Sequence, residues 1–418
     1  METYAKVLLI ALPSFLVLIL IEILYGVWTK KQTYGFMDTL SSLSSGTTNL
    51  IKDVLGIGII LISYPFLRET LAVTTIEETS LLYFVAFICI DFSSYWNHRL
   101  NHSINVFWNR HVVHHSSEEF NLACALRQSI SSLIGFGALF LLPAAIIGIP
   151  HKVIVILAPL HLFGQFWYHT RHIGKLGWLE YIFVTPSQHR VHHAINPEYV
   201  DKNLSAIFCI WDRIFGTFQE ELDDVPCVYG TLKPVQTWNP ILINFQHNWG
   251  LAKDAWYTKN WFDKIKLWFM PTGWRPADVS ERFPIEKIDV NNQKKYALNY
   301  TLKHKIIALF QFICLNVFIF LFLSSFSNLD VFSQVSYGIL IATTIFGFTS
   351  LMDGQKWAVI FEITRSVIGL CILLHPSQSI IWSIDTLFAF GVTVYFAVTL
   401  TSTLWILNTL PKRSIIVH

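Results

Sequence analysis

Nine stretches of this chain are long and apolar: residues 7–28, 51–67, 80–96, 130–149, 152–168, 305–326, 333–351, 357–374 and 379–408. A hydrocarbon core about 30 Å thick takes about 20 apolar residues to cross as a helix. Lipid also requires every backbone polar group to be satisfied within the segment. The runs predict an all-α multi-pass membrane protein with about nine transmembrane helices. Charged residues make up 14% of the 418 residues, against about 25% in soluble domains. The first run has no strongly basic leader or small-residue cleavage pattern and reads as a retained span. The formal charge of +2 is small and scattered and argues against a nucleic-acid partner. The six cysteines form no CxxC and read as small hydrophobes rather than a disulfide framework or a redox thiol site.

Residues 171–302 are more polar and predict a helical cap, enclosed by 1–79 and 303–418 as membrane flanks and joined to 80–170 as one catalytic domain, 80–302. Nine spans with the N-terminus outside put Lys30–Lys31, the cap and Lys412–Arg413 on the cytoplasmic side, as the positive-inside rule requires. The host membrane is then endoplasmic reticulum in a eukaryote or the cytoplasmic membrane in a bacterium. Late in the cap, Phe245, Trp249, Trp256, Trp261, Phe262, Trp268 and Phe269 interleave with Lys253, Lys259, Lys264 and Lys266. Such a mixture suits helices lying in a headgroup plane, and also an ordinary core.

Three histidine clusters stand out between the spans: His98-x-x-x-His102, His111-x-x-His114-His115 and His189-x-x-His192-His193. Twelve of the sixteen histidines lie between 98 and 193. Residues three and four apart share one helix face, so each cluster aims its imidazoles at one region. Eight such donors exceed the four that close one tetrahedral site, which favours two metal ions. Of His161, His169 and His172, which one helix could carry together, His169 is expected as a ninth ligand. His161 lies deeper in its run.

Imidazole suits zinc, copper, iron and nickel. A two-zinc hydrolase is disfavoured because no Asp or Glu lies within the clusters to bridge the metals. A carboxylate-bridged di-iron protein is disfavoured because no Glu-x-x-His occurs. A metal transporter would place its ionisable groups near the bilayer midplane, whereas these clusters sit at span ends. A histidine-only di-iron oxidase remains. Around it, Asp91 is expected either to orient an imidazole or to make an interhelical polar contact. Glu22 is expected against another helix or at the interface, and Arg127 snorkelling at the interface. Ser116–Glu119 is expected to start a helix, and Asp212 to cap or pack. Glu118, Glu119 and Arg127 lie near enough to the clusters to touch a cofactor, but no residue is assigned to one, and none beyond the metal ligands to catalysis.

The histidine pattern resembles the fatty acid hydroxylase / sterol desaturase superfamily. Within it, the flanking text is similar to the ether-lipid-cleaving alkylglycerol monooxygenases. The matching stretches are Asp91–Arg99 (DFSSYWNHR), His114–Glu118 (HHSSE), Asn121–Ser129 (NLACALRQS), Gln165–Thr170 (QFWYHT), Thr185–His193 (TPSQHRVHH), Asp201–Asn203, Trp211–Phe218 (WDRIFGTF) and Val228–Gly230. The match is dense from about residue 85 to 275 and rests on hydropathy and length elsewhere. The resemblance implies a membrane monooxygenase that uses O2 and tetrahydrobiopterin to hydroxylate the carbon next to the ether oxygen of alkylglycerol lipids or their lyso forms. It implies two iron ions held by His98, His102, His111, His114, His115, His189, His192 and His193, with His169. The alternative within the superfamily is a sterol, carotenoid or fatty acyl oxidase fed by a protein electron donor.

Overall fold

The computed structural model describes residues 2–74, 76–77, 79–135, 137–285, 288–374 and 386–412. Glu78, Asp385, Arg413 and the start of the 379–408 run lie outside them. The described chain is mostly helical and divides into two compact units. Among the described residues, four helices are long and apolar enough to cross a membrane: Val7–Trp28, Leu302–Asn328, Val331–Met352 and Ala389–Thr409. Of the nine runs expected to span, the other five do not form helices of this length and apolarity among the described residues.

In the unit formed by Leu16–Val235 and Ile243–Gln293, α1 (Glu2–Trp28), which belongs to this unit from Leu16 on, is followed by α2 (Phe36–Val54), which no apolar run announced. Nearly half of the buried residues of α2 are serine or threonine (Ser41, Ser42, Ser44, Ser45 and Thr48). A Cβ on Gly46 would lie 2.8 Å from the Leu126 carbonyl oxygen, so glycine permits the close approach of the 124–126 turn. The 51–67 run does not continue as a helix. Gly56 takes φ +63°, and the Ile57 N–H bonds back to the Lys52 carbonyl at 2.9 Å, a left-handed stop. The chain then forms β1 (Ile59–Ile60) and restarts at Pro65 in α3 (Tyr64–Leu71). The 130–149 run is divided among β2 (Ile134–Gly135), paired parallel to β1, a 3-10 turn, and the short α7 (Leu142–Ile147).

Between these, α4 (Ser80–Ser103) is capped by Thr79, and the short helices α5 (Asn105–Trp108) and α6 (Val112–His115) follow. Then α8 (His151–Phe163) has 13 residues, about 20 Å of helix and short of a bilayer. The apolar half of α4 packs Leu82, Ala86, Cys89 and Ile90 against Ala144, Ala145, Ile149, Val153 and Ile154. Its polar half carries Asp91, His98 and His102. The unit continues with α9 (Pro186–His193), α10 (Ile210–Phe215), α11 (Pro240–Tyr257), α12 (Trp261–Lys266) and α13 (Ala277–Arg282).

The other unit holds α14 (Leu302–Ser325), α15 (Val331–Met352), α16 (Lys356–Leu374) and α17 (Thr386–Ile406). Lys356, Glu362 and Arg365 keep α16 from the apolarity of its neighbours. Inside this bundle Arg365 Nη2 bonds Glu362 Oε2 at 2.7 Å and the Tyr395 hydroxyl at 2.9 Å. Tyr395 in turn donates to Gln311 Oε1 at 2.8 Å. Burying a charge is costly unless it is paired and hydrogen-bonded, which this chain of contacts provides.

Candidate metal centre

The three clusters reach one place from different elements. His98 and His102 end α4, His111 caps α6, and His114 and His115 lie in α6. His189, His192 and His193 occupy the last turns of α9, whose start is fixed by Thr185 as N-cap and Pro186. His169 follows α8, which stops at Phe163. It therefore sits in a turn, not on one helix with His161 and His172. Ser116 closes α6 and the chain after it is loop, so Ser116–Glu119 starts no helix.

All nine expected histidines come together, in two groups. His98, His102, His111, His115 and His192 form one; His114, His169, His189 and His193 form the other. Within each group one ligand atom per residue lies within 4.8 Å of all the others. His161 and His172 belong to neither. His161 Nε2 is bonded to Asp91 Oδ1 at 2.7 Å.

The hydrogen bonds fix where the ring protons are. Nδ1 donates to a backbone carbonyl in His98 (Leu204, 2.8 Å), His114 (Arg127, 3.3 Å), His169 (Gln165, 3.0 Å) and His192 (Lys202, 3.0 Å). In His102 it donates to the Asp201 carboxylate at 3.0 Å. These oxygens only accept, so each neutral ring keeps a lone pair on Nε2. Burial and the neighbouring imidazoles favour neutral rings, pulling His114 down to about 3 and His115, His189, His192 and His193 well below the usual imidazole range. Nε2 of His114 and of His169 therefore face each other at 3.3 Å as two lone pairs. Nε2 of His102, His115 and His192 is buried without a hydrogen-bond partner. His189 Nε2 is 2.8 Å from His169 Nε2 and 3.1 Å from His193 Nε2. Two nitrogens each about 2.1 Å from one metal, at right to tetrahedral angles, lie roughly 3.0–3.4 Å apart. The donor set fits two cations of the imidazole-binding kind.

One tetrapeptide supplies three of those acceptors. Asp201, Lys202 and Leu204 face His102, His192 and His98, all in the five-histidine group. Asp201 and Asn203 take φ +57° and +53°, the left-handed region that Asp and Asn tolerate best. Asn203 anchors the loop through Gln188 and Gln219. Asp212, in the first turn of α10, accepts from the N–H groups of Leu204 and Ser205 at 2.7 and 3.0 Å and so packs the loop onto that helix. The sequence signal for this loop was its Asp-x-Asn pattern just after the third cluster.

Three outer residues differ from expectation or resolve it. Asp91 is fully buried and accepts from His161, the Ile207 and Phe208 N–H groups and the Trp211 indole; it is an interhelical contact and orients no clustered histidine. Arg127 does not snorkel. It is 2% exposed, bonded to Asp38 at 2.9 Å, Ser42 at 2.9 Å and Ser116 at 2.8 Å. Glu22, buried, accepts from the Tyr34 and Thr170 hydroxyls and the Leu122 N–H, tying the end of α1 to the residue after His169.

A cavity of about 740 Å³ opens beside the histidines, walled by His102, His115, His192 and His193 and by Trp108, Ile243, Leu251 and Trp274. Buried donors next to a partly apolar chamber suit chemistry on a lipid.

Residues 83–217 match the family model described as Fatty acid hydroxylase. The chain is 33% identical over 370 residues to alkylglycerol monooxygenase of Homo sapiens, covering 86% of this chain and 81% of that one. To the Danio rerio protein of the same name it is 32% identical over 372 residues, 87% and 81% of the two chains. To the Xenopus tropicalis one it is 36% identical over 282 residues, 67% and 62%. No solved structure matches. With the histidine groups and apolar helices beside this likeness, the chain belongs to the alkylglycerol monooxygenase family, a family of membrane oxidoreductases.

Proposed function

We propose that this protein hydroxylates the carbon next to the ether oxygen of an alkylglycerol lipid, using O2 and tetrahydrobiopterin. The observation that carries the reading is the opposed pair of Nε2 lone pairs on His114 and His169 in a chain of this family. Two iron ions, held one by His98, His102, His111, His115 and His192 and the other by His114, His169, His189 and His193, would supply the oxygen activation that no side chain can. The chain's own residues do the rest. Carbonyls and Asp201 hold the ring protons on Nδ1, leaving the donor atoms free. The buried setting excludes water, and the adjoining cavity receives the substrate. One oxygen atom enters the C–H bond. The other leaves as water with two electrons from the pterin and two protons. The hemiacetal then breaks its C–O bond to the glycerol oxygen, its hydroxyl proton passing to that oxygen, and a fatty aldehyde is released.

On this reading residues 80–302 are the catalytic domain and the flanks hold it to the membrane. Lys30 and Lys31, directly after the first span, set the histidine side toward the cytoplasm. The test is turnover by iron-loaded purified protein given a 1-O-alkylglycerol and tetrahydrobiopterin, with the aldehyde trapped. Aldehyde that requires iron, pterin and O2 is expected. An oxidised sterol or acyl product, formed only with a protein electron donor, would replace the substrate and reductant.

A further inference from the structure

Helix α11 has two faces with different surroundings. Ile243, His247, Gly250, Leu251 and Asp254, spaced by three and four, line the cavity. On another face stand Phe245, Trp249 and Trp256, the last two 65% and 82% exposed. The following helix is tied to the end of this one, Lys264 Nζ donating to the Ala255 and Trp256 carbonyls at 2.8 and 3.3 Å, and is as open. Trp261 is 80% and Phe262 71% exposed, and Ile265 and Phe269 are nearly as open. So many large apolar side chains left open within residues 245–269 mark an interaction site rather than scattered exposure.

Its charge indicates the partner. Between residues 245 and 269 there are four lysines and two carboxylates. One of those carboxylates, Asp254, is already held by both nitrogens of Arg275, at 2.6 and 2.9 Å. Lysine ammonium groups lie over Trp261 at 5.4 Å and over Phe262 at 5.8 Å. Exposed tryptophan with lysine at its edge matches the boundary between acyl chains and anionic headgroups, where the ring is half solvated and the ammonium meets phosphate. The same surface adjoins the cavity: Lys266 lies 5.2 Å over Trp274, a cavity wall residue, and Lys233 and Lys253 add positive charge there.

We infer that the outer face of α11 and α12 rests on an anionic bilayer surface and that substrate enters the histidine cavity from the bilayer past this face. The second half of the inference rests on the ether-lipid reading; the first does not.

The test uses the full-length, metal-loaded protein in liposomes containing anionic lipid. Tryptophan emission lost between wild type and Trp256→Phe/Trp261→Phe is expected to be quenched by brominated lipid. Emission indifferent to bromine would overturn the bilayer contact, and it needs no turnover. For entry, Trp256→Ala/Trp261→Ala/Phe262→Ala is compared with wild type on a long-chain alkylglycerol in the bilayer and a short-chain one dissolved in water. The expected result is a KM about tenfold higher for the bilayer-borne substrate, with unchanged kcat and unchanged use of the dissolved one. The phenylalanine variant should restore the KM. An equal loss with both substrates, or an unchanged KM in a variant with unaltered thermal unfolding, would overturn entry by this route. Absence of aldehyde from both substrates in wild type would instead sink the ether-lipid reading and leave the quenching result standing.

Discussion

Asp201 and His102 are joined by a hydrogen bond of 3.0 Å from the ring Nδ1 to the carboxylate, on the side of the ring away from the five-histidine group. A carboxylate there holds the ring in one tautomer and raises the basicity of the donor atom. Replacing Asp201 with alanine removes both effects, and at φ +57° it also strains the loop whose Lys202 and Leu204 carbonyls hold His192 and His98 of the same group. The expected result is a loss of about tenfold or more in the affinity of one metal, the other unchanged. Competition with a coloured chelator measures it. Asp201→Asn, which retains an acceptor oxygen, should lose less. Equal affinities in all three proteins would remove Asp201 from the site.

The division into two groups makes a stoichiometric prediction. His114→Ala takes a donor from the four-histidine group, and His192→Ala one from the other. Each variant is expected to retain close to one tightly bound iron where wild type retains two, and neither should release aldehyde. His172→Ala, outside both groups, should keep both metals. Elemental analysis after gel filtration gives the answer. Loss of both metals from either variant would show that the groups act as one unit.

The eight clustered histidines were legible because cluster spacing survives any arrangement of the elements that carry them, and His169 from its place at the end of an apolar run. Their division into five and four was not, since it depends on α4, α6, α9 and the turn at His169 meeting from different directions. The Asp91 carboxylate shows the limit of reading one helix: seven residues before His98 is the same face, yet its partners are His161 and the 207–211 segment. Arg127 was misread because its position beside an apolar run suggested an interface, whereas Asp38, 89 residues away, decides its burial. Hydropathy alone does not tell a lipid-facing residue from a protein-facing one. The apolar half of α4 buries Leu82, Ala86, Cys89 and Ile90 against protein, whereas α8 buries Val153 and Ile154 and leaves Val155, Ile156, Leu160, Leu162 and Phe163 exposed. Gly56 read as a packing residue where its positive φ ends a helix.

Arg127 sets up the third prediction. Its guanidinium satisfies Asp38, Ser42 and Ser116 in a buried pocket, while its carbonyl accepts from His114 Nδ1. Arg127→Ala leaves the Asp38 carboxylate buried without its ion-pair partner, a change that costs about 3–5 kcal/mol. Lysine cannot reproduce three bonds made by one planar fork, so Arg127→Lys should recover only part of that loss. Thermal unfolding in detergent, followed by tryptophan emission, is the measurement. A melting temperature unchanged in Arg127→Ala would mean that the pair contributes no net stability.

In the C-terminal bundle the sharpest constraint is on Gly347. A Cβ added there would lie 1.4 Å from Glu362 Oε1 and 2.6 Å from its carboxyl carbon. Glu362 cannot simply turn away, because Oε2 is held by Arg365, and Arg365 by Tyr395. Gly347→Ala must therefore push α15 from α16, opening the packing between them, or break the ion pair within α16 and leave a buried charge without its partner. The expected outcome is destabilisation of about 3 kcal/mol or more, with protease sensitivity appearing first between residues 331 and 374. Shortening the obstructing side chain tests the cause. In Gly347→Ala/Glu362→Ala the clash is gone, and the added alanine should then cost little beyond Glu362→Ala alone. A double variant in which Gly347→Ala costs as much as it does in wild type would show that the glycine is needed for some reason other than room for Glu362.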